Sequence, residues 1–218
     1  MSLSLLDDEL RSLVNRFTRE FEVEEELKDA LVALARRIIK ASGDAVVAIH
    51  RGSEEEASRL IEEASRLVEE ALIKAEERPE YLHLGPLPQA FKEYVEAQVL
   101  LALWRCTRLP KPEELRVPSK PYVYGLAEVV GEVRRLMMEA IRRDRLEEAE
   151  EWFKVLESLY RALRELEVYR GVLPEIKGRV DQVRRVVEAS RGDLALISQR
   201  HRLRLELKRL EERLRSLG

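Results

Sequence analysis

The chain has 218 residues, of which 45% are hydrophobic and 37% are charged, with a formal net charge of −3. This composition is that of a globular protein with a real core and excludes a disordered chain. No apolar run approaches the roughly 18 residues of a membrane span, no secretory signal is visible, and the single Cys106 cannot form an internal disulfide. We therefore expect a cytoplasmic protein without membrane association.

Nearly every segment shows the three- and four-residue apolar spacing that is typical of helices. Six long helices are predicted, over residues 4–50, 54–78, 89–109, 121–143, 145–170 and 175–216. The loop at 78–88 and the proline-rich segment 109–121 separate them, with room for a short helical turn at 112–116. Gly192 leaves open a bend in the last helix. The sequence thus predicts an all-α protein, a single-domain bundle of six or seven helices over residues 1–218, and long helices that favour a homo-oligomer.

The charge is distributed unevenly along the chain. Residues 1–80 carry 20 acidic and 12 basic side chains, residues 81–174 carry 15 of each, and residues 175–218 carry 7 acidic and 12 basic. The basic C-terminal part is suited to attract a polyanion. Alternatively, an acidic helix face of one subunit meets a basic face of another, and the composition alone leaves both interpretations open.

Two pairs of glutamates lie in the least polar stretches of this charged chain. Glu93 and Glu96 are the only charges between residues 93 and 104, and Glu128 and Glu132 are the only charges between residues 122 and 133. Helices this apolar are usually buried. A buried ionised carboxylate costs several kcal/mol unless it is compensated, so the four glutamates require partners.

A divalent metal and arginines are the two candidate partners. The spacings i,i+3 and i,i+4 place each pair on one helix face, so two facing helices would form a cluster of four carboxylates. Such hard oxygen ligands suit Mg²⁺ or Mn²⁺, and no His follows either pair at the spacing of a di-iron site. Alternatively, each glutamate pairs with an arginine, and Arg105, Arg134 and Arg135 are close in sequence.

The three histidines suggest no further site. His50, His83 and His201 are scattered, and no Cys/His group has the spacing of a zinc site. His50 lies near a helix end and is expected to be a capping or surface residue.

The two acidic segments carry a resemblance to a known family. FKEYVEA (91–97) resembles the LQEYVEA-type motif of the translin-associated factor X branch of the translin family. YVYGLAEVVGEVRR (122–135) resembles that family's YLLGLADLTGELMR motif. Looser likenesses cover VAIHR (47–51), which resembles the end of the family's first helix, and residues 176–194, which resemble the closing helix of archaeal members.

The resemblance implies a seven-helix bundle that assembles into a closed octameric shell and binds single-stranded RNA or DNA. In the factor X branch it also implies metal-dependent endoribonuclease activity from carboxylates that face the cavity. Glu93 and Glu96 match the two glutamates of the first motif. Glu128 stands where the second motif has an aspartate, and Glu132 matches its glutamate.

We therefore expect a metal-dependent endoribonuclease that acts on single-stranded RNA, with Mg²⁺ or Mn²⁺ held by Glu93, Glu96 and Glu128 and with Glu132 as a further ligand. The basic residues near the acids, Lys92, Arg134 and Arg135, are candidates for phosphate contacts. The expected assembly is a homo-octamer or a hetero-oligomer with a translin-like paralogue. The alternatives are a non-catalytic single-stranded RNA- or DNA-binding protein and a helical oligomerisation module.

Overall fold

The computed structural model describes residues 3–215, with the side chains of residues 6–215. These residues form seven α-helices and two 3₁₀ turns and contain no strand, which confirms the predicted all-α fold. The helices are α1 (Leu3–Arg51), α2 (Glu54–Lys74), α3 (Leu87–Trp104), α4 (Pro112–Leu115), α5 (Ser119–Arg142), α6 (Leu146–Glu165) and α7 (Ile176–Arg215). The 3₁₀ turns span Pro79–His83 and Leu166–Tyr169.

Three helices, α2, α3 and α6, end earlier than the apolar spacing predicts, and α2 stops at Lys74 rather than at about residue 78. α3 stops at Trp104 rather than at residue 109 because Cys106 adopts a left-handed backbone with φ of 53°. The Thr107 N–H then donates to the Ala102 carbonyl at 2.9 Å, which closes the helix end in a Schellman-type arrangement. α6 tightens into the 3₁₀ turn after Glu165. α7 is a single helix that continues through Gly192, since a glycine weakens a helix but keeps its backbone hydrogen bonds.

α3 and α5 form the centre of the bundle. α1 packs on α2 and α3, α3 packs on α5, and α5 packs in turn on α6 and α7. One continuous apolar cluster fills the space between them, and it includes Ile38 of α1, Phe91 of α3 and Leu156 of α6. Within the described range, every helix is too short or too polar to cross a bilayer.

Gly125 sets the separation between the two central helices. A Cβ atom at this position of α5 would lie 2.7 Å from Val95 Cγ1 and 2.9 Å from the Lys92 carbonyl oxygen of α3. Both distances are shorter than ordinary contacts between heavy atoms, so only glycine permits this approach. The close packing brings the α3 segment around Lys92 and Glu96 next to the α5 segment that carries Glu128.

We expect Gly125→Ala to destabilise the protein by about 1–3 kcal/mol, because a side chain here forces α3 and α5 apart. The matched control is Gly131→Ala on the same helix, where an added Cβ meets nothing within 4 Å. This control should be neutral or stabilise the protein by up to about 1 kcal/mol through helix propensity. Urea unfolding of both variants measures the difference, and equal stabilities would contradict the close contact.

Candidate functional site

Three of the four glutamates line one cleft. Glu96 of α3 and Glu128 and Glu132 of α5 surround a cavity of about 180 Å³ that is closed on its third side by Arg179 and Gln182 of α7. All four predicted glutamates are half-buried, including Glu93. The carboxylates are therefore only partly desolvated, and water reaches the cleft.

Glu128 is held by two cations that converge on the same oxygen. Lys92 Nζ donates to Glu128 Oε1 at 3.0 Å, and an Arg179 guanidinium nitrogen donates to the same atom at 2.5 Å. Partial burial acts to raise the pKa of the Glu128 carboxyl. The hydrogen bonds and charges of Lys92 and Arg179 outweigh that effect, and the pKa lies below its ordinary value. Glu128 is thus ionised at neutral pH.

Arg179 links α7 to the acids of the cleft. Its guanidinium also bonds Glu175 Oε2 at 2.7 Å and lies over the Tyr124 ring at 4.5 Å from the centroid. Stacking and two ion pairs fix its position, which suits the planar arginine better than a lysine.

Glu132 is paired with a histidine from the far end of α1. His50 Nε2 and Glu132 Oε2 are 2.5 Å apart, and the His50 side chain is only 7% exposed. This hydrogen bond is the main reason that the pKa of Glu132 lies below its ordinary value. The expectation that His50 is a capping or surface residue is therefore wrong, because α1 ends against α5. Its place in VAIHR, a segment that resembles the family, was the only signal for this role.

Glu96 has no cation of its own. Burial raises the pKa of its carboxyl to about 8, and the negative charges of Glu93, Glu132 and Glu128 add to the rise. Lys92 lowers it only in part. Glu93 accepts a hydrogen bond from Gln89 on the preceding turn of α3. The two glutamate pairs are therefore close enough to repel one another, and Glu96 is the carboxyl that positive charge compensates least.

The donor set has the chemistry of a site for a hard divalent cation. Four carboxylates, one of them with its pKa raised by burial and by its acidic neighbours, are compensated better by a dication than by single positive charges. Among residues 6–215, however, no three His, Cys, Asp or Glu side chains are already arranged around a common point for a metal. The reason is visible in the contacts: Glu128 faces Lys92 and Arg179, and Glu132 faces His50.

The arginines proposed as alternative partners mostly bind elsewhere. Arg105 donates to Glu54 and Ser58 of α2, and Arg134 bonds Ser190 and Asp193 of α7. Arg135 lies 3.8 Å from Glu132 with 60% of its side chain exposed.

Of the three predicted phosphate contacts, two have internal partners. Lys92 is buried against Glu128, and Arg134 is tied to α7. Arg135 is left as the most accessible cation beside the acids.

Comparisons with known proteins agree with this fold. No protein-family model matches the chain. It is 31% identical over 205 residues to the uncharacterized protein MJ0175 of Methanocaldococcus jannaschii, covering 94% of this chain and 89% of that protein. The solved structure of apo-NeC3PO matches with a TM-score of 0.76 and 24% identity, over 84% of this chain and 96% of that one. AfC3PO in a complex with duplex RNA matches with a TM-score of 0.78 and 24% identity, over 85% and 96%.

The C3PO structures are complexes of translin and translin-associated factor X, and the two motifs that resemble this family supply the four glutamates, three of which line the cleft. The bundle, the order of the motifs and the near full-length matches agree with one another, and this chain has the helical translin-like fold of the C3PO structures.

Proposed function

We propose that this protein is a metal-dependent endoribonuclease that cleaves single-stranded RNA inside an oligomeric shell. The expected shell is a homo-octamer or a hetero-oligomer with a translin-like paralogue. The observation that carries the proposal is the convergence of three half-buried carboxylates, Glu96, Glu128 and Glu132, on one cleft, in which no cation of the described residues is hydrogen-bonded to Glu96. A protein that only binds a polyanion gains nothing from carboxylates at its binding surface, since they repel the phosphates.

Mg²⁺ or Mn²⁺ would be held by Glu93, Glu96, Glu128 and Glu132. Such an ion supplies an activated water and neutralises charge on the phosphodiester. Glu96 is the residue that gains most from a cation, since its own neighbours are mainly acidic. Lys92, Arg179 and His50 keep Glu128 and Glu132 ionised and hold them in place, which prepares two of the four carboxylates as ligands.

The proposed RNA contacts involve the exposed cation beside the cleft. Arg135 lies one helical turn after Glu132 on α5, so its guanidinium can reach a phosphate next to the acids. AfC3PO, a neighbour in fold, has been solved with duplex RNA. Each binding and cleavage assay should therefore test a duplex RNA of the same sequence in parallel with the single strand.

A specific observation favours a second candidate function. Glu128 is neutralised by two internal cations, and the described carboxylates do not surround a common point. A cleft of this kind can persist without metal in a protein that binds single-stranded RNA or DNA and does not cleave it. The two functions differ in what happens to a bound strand.

We expect Glu96→Gln to reduce cleavage of a fluorescent single-stranded RNA in Mg²⁺ or Mn²⁺ by at least about a hundredfold, because the amide keeps the shape but loses the ligand charge. RNA binding should persist or tighten, since one repulsive charge is removed. EDTA should stop the wild-type reaction.

The matched control for cleavage is Glu70→Gln, which changes an exposed carboxylate on α2. It should cleave at the wild-type rate. Equal cleavage by wild type and Glu96→Gln would assign the activity to another site or a contaminant. Binding without cleavage in all three proteins would establish the non-catalytic function.

Arg135→Gln should weaken binding of single-stranded RNA about equally across sequences. It should also reduce the slope of log affinity against log salt by roughly 0.7, which is the contribution of one phosphate contact in a single strand. The control is Arg66→Gln on the exposed face of α2. Binding titrations at several salt concentrations measure both slopes. An unchanged slope for Arg135→Gln would exclude this phosphate contact.

The burial of Glu96 and its crowding by other carboxylates also predict a pH dependence of stability in EDTA. Because the pKa of Glu96 rises from 4.5 in the unfolded chain to about 8 in the folded protein, its contribution is present below about pH 4.5 and is lost as the pH rises through 8. Glu96→Gln has no proton to lose. Its melting temperature relative to wild type should therefore increase between pH 5 and pH 9. A difference that stays constant over this range would contradict the crowding of carboxylates.

A further inference from the structure

Both terminal helices have segments whose side chains are almost all exposed. In α1, every side chain from residue 7 to 26 is exposed except the half-buried Glu24, and we call this segment the acidic arm. In α7, every described side chain from residue 200 to 215 is exposed except the half-buried His201, and we call this segment the basic arm. The acidic arm has eight acidic and three basic residues, and the basic arm has three acidic and seven basic.

Each arm carries an apolar seam of the same form. The acidic arm presents four side chains that are 40–62% exposed, Leu10, Val14, Phe17 and Phe21. The basic arm presents four leucines that are 52–62% exposed, Leu203, Leu207, Leu210 and Leu214. Both sets repeat at intervals of four, three and four residues, which places each set on one helix face over a length of about 17 Å. Eight large apolar side chains in two matched stripes require a cover that the chain itself does not provide.

We infer that the acidic arm of one copy of this chain binds the basic arm of a second copy through these two seams. This interface rests on the oligomeric part of the proposed function and names the surfaces through which copies of the chain meet. It involves no residue of the acid cleft, so cleavage assays and assembly assays test the two separately. The matched spacing lets the two seams interlock along their whole length. The opposite net charges of the arms add attraction and select this pairing.

Charge excludes the two pairings between identical arms. Two acidic arms, or two basic arms, would bring like net charges together along both helices, which is destabilising. The arms of one chain do not form an extensive contact with each other among the described residues, since α1 packs mainly on α2 and α3 while α7 packs on α5 and α6. The second copy is therefore the partner that satisfies both seams and both charges.

A polyanion is a poorer partner than a second copy. RNA would neutralise the basic arm but leave its four leucines in water, and the acidic arm would repel it. Two salt bridges already engage the arms with their own bundle, Arg204 with Asp144 at 2.7 Å and Arg78 with Glu24 at 3.0 Å. Arg204 lies about a quarter turn from the leucine seam, and Glu24 follows Phe21 at the bundle end of the acidic seam, so the eight apolar side chains of the two seams stay exposed.

The apolar surface of α1 continues beyond the seam. Lys28 and Val32 lie on the same helix face as Phe21, and they line an apolar groove of about 450 Å³ beside the segment at 81–87. The partner's helix therefore meets further apolar surface as it passes the acidic arm. One seam of three turns is short for a coiled coil, and each copy carries both arms, so a closed assembly engages two such contacts per subunit.

Cross-linking tests the pairing directly. In a Cys106→Ser background, one nuclease-treated preparation carries Val14→Cys and a second, tagged preparation carries Leu207→Cys. A flexible bismaleimide is added to each preparation and to the mixture. The expected result is a heterotypic product in the mixture that exceeds either homotypic product. Homotypic products alone, or heterotypic products that appear only after single-stranded RNA is added, would overturn the inference.

Seam substitutions supply the quantitative test. Phe17→Ser and Leu207→Ser should each raise the dissociation constant of the assembly by at least about tenfold in sedimentation experiments, because each removes a large apolar side chain from the interface. The matched controls are Val23→Ser and Leu205→Ser, which change exposed apolar residues on the opposite helix faces. The controls should assemble as wild type does. A wild-type monomer at micromolar concentration, or equal effects of seam and control substitutions, would refute the interface.

Discussion

The approach of α3 to α5 at Gly125 is the constraint on which the acid cleft depends. With 2.7 Å between a hypothetical Cβ and Val95 Cγ1, no other residue lets the helices come this close. The same approach places Glu128 within reach of Lys92 and places both glutamate pairs within each other's field. The core therefore forces together four carboxylates that would separate if the packing were looser, and packing energy offsets their repulsion.

The partners of these acids come from three different helices, and each bonds one particular acid of the cleft. α3 and α7 supply Lys92 and Arg179 to Glu128, and α1 supplies His50 to Glu132. Glu96 receives no dedicated partner, so the deficit of positive charge is concentrated at one carboxyl. This uneven compensation distinguishes the cleft from a set of ordinary surface ion pairs, which neutralise each acid separately.

The sequence predicted the helical class and most helix positions, because apolar spacing is visible along the chain. It also singled out the four glutamates of α3 and α5 by their isolation from other charges, and the structure places three of them in one cleft. It did not predict the partners of those acids. His50 lies 82 positions from Glu132, and Arg179 lies 51 positions from Glu128. Such pairs are set by how helices pack, and a chain with 37% charged residues offers too many equivalent candidates. The early end of α3 was missed for a similar reason, since no glycine or proline precedes the turn at Cys106.

The uninterrupted course of α7 through Gly192 has a mechanical consequence. The helix carries Arg179 at one end and the leucines of the basic arm at the other, over about 36 residues or roughly 54 Å. It has no break at which the two ends could move independently. A change in the direction of the distant end therefore tilts the helix and displaces the Arg179 guanidinium that is hydrogen-bonded to Glu128. The position of this cation thus depends in part on contacts outside the bundle.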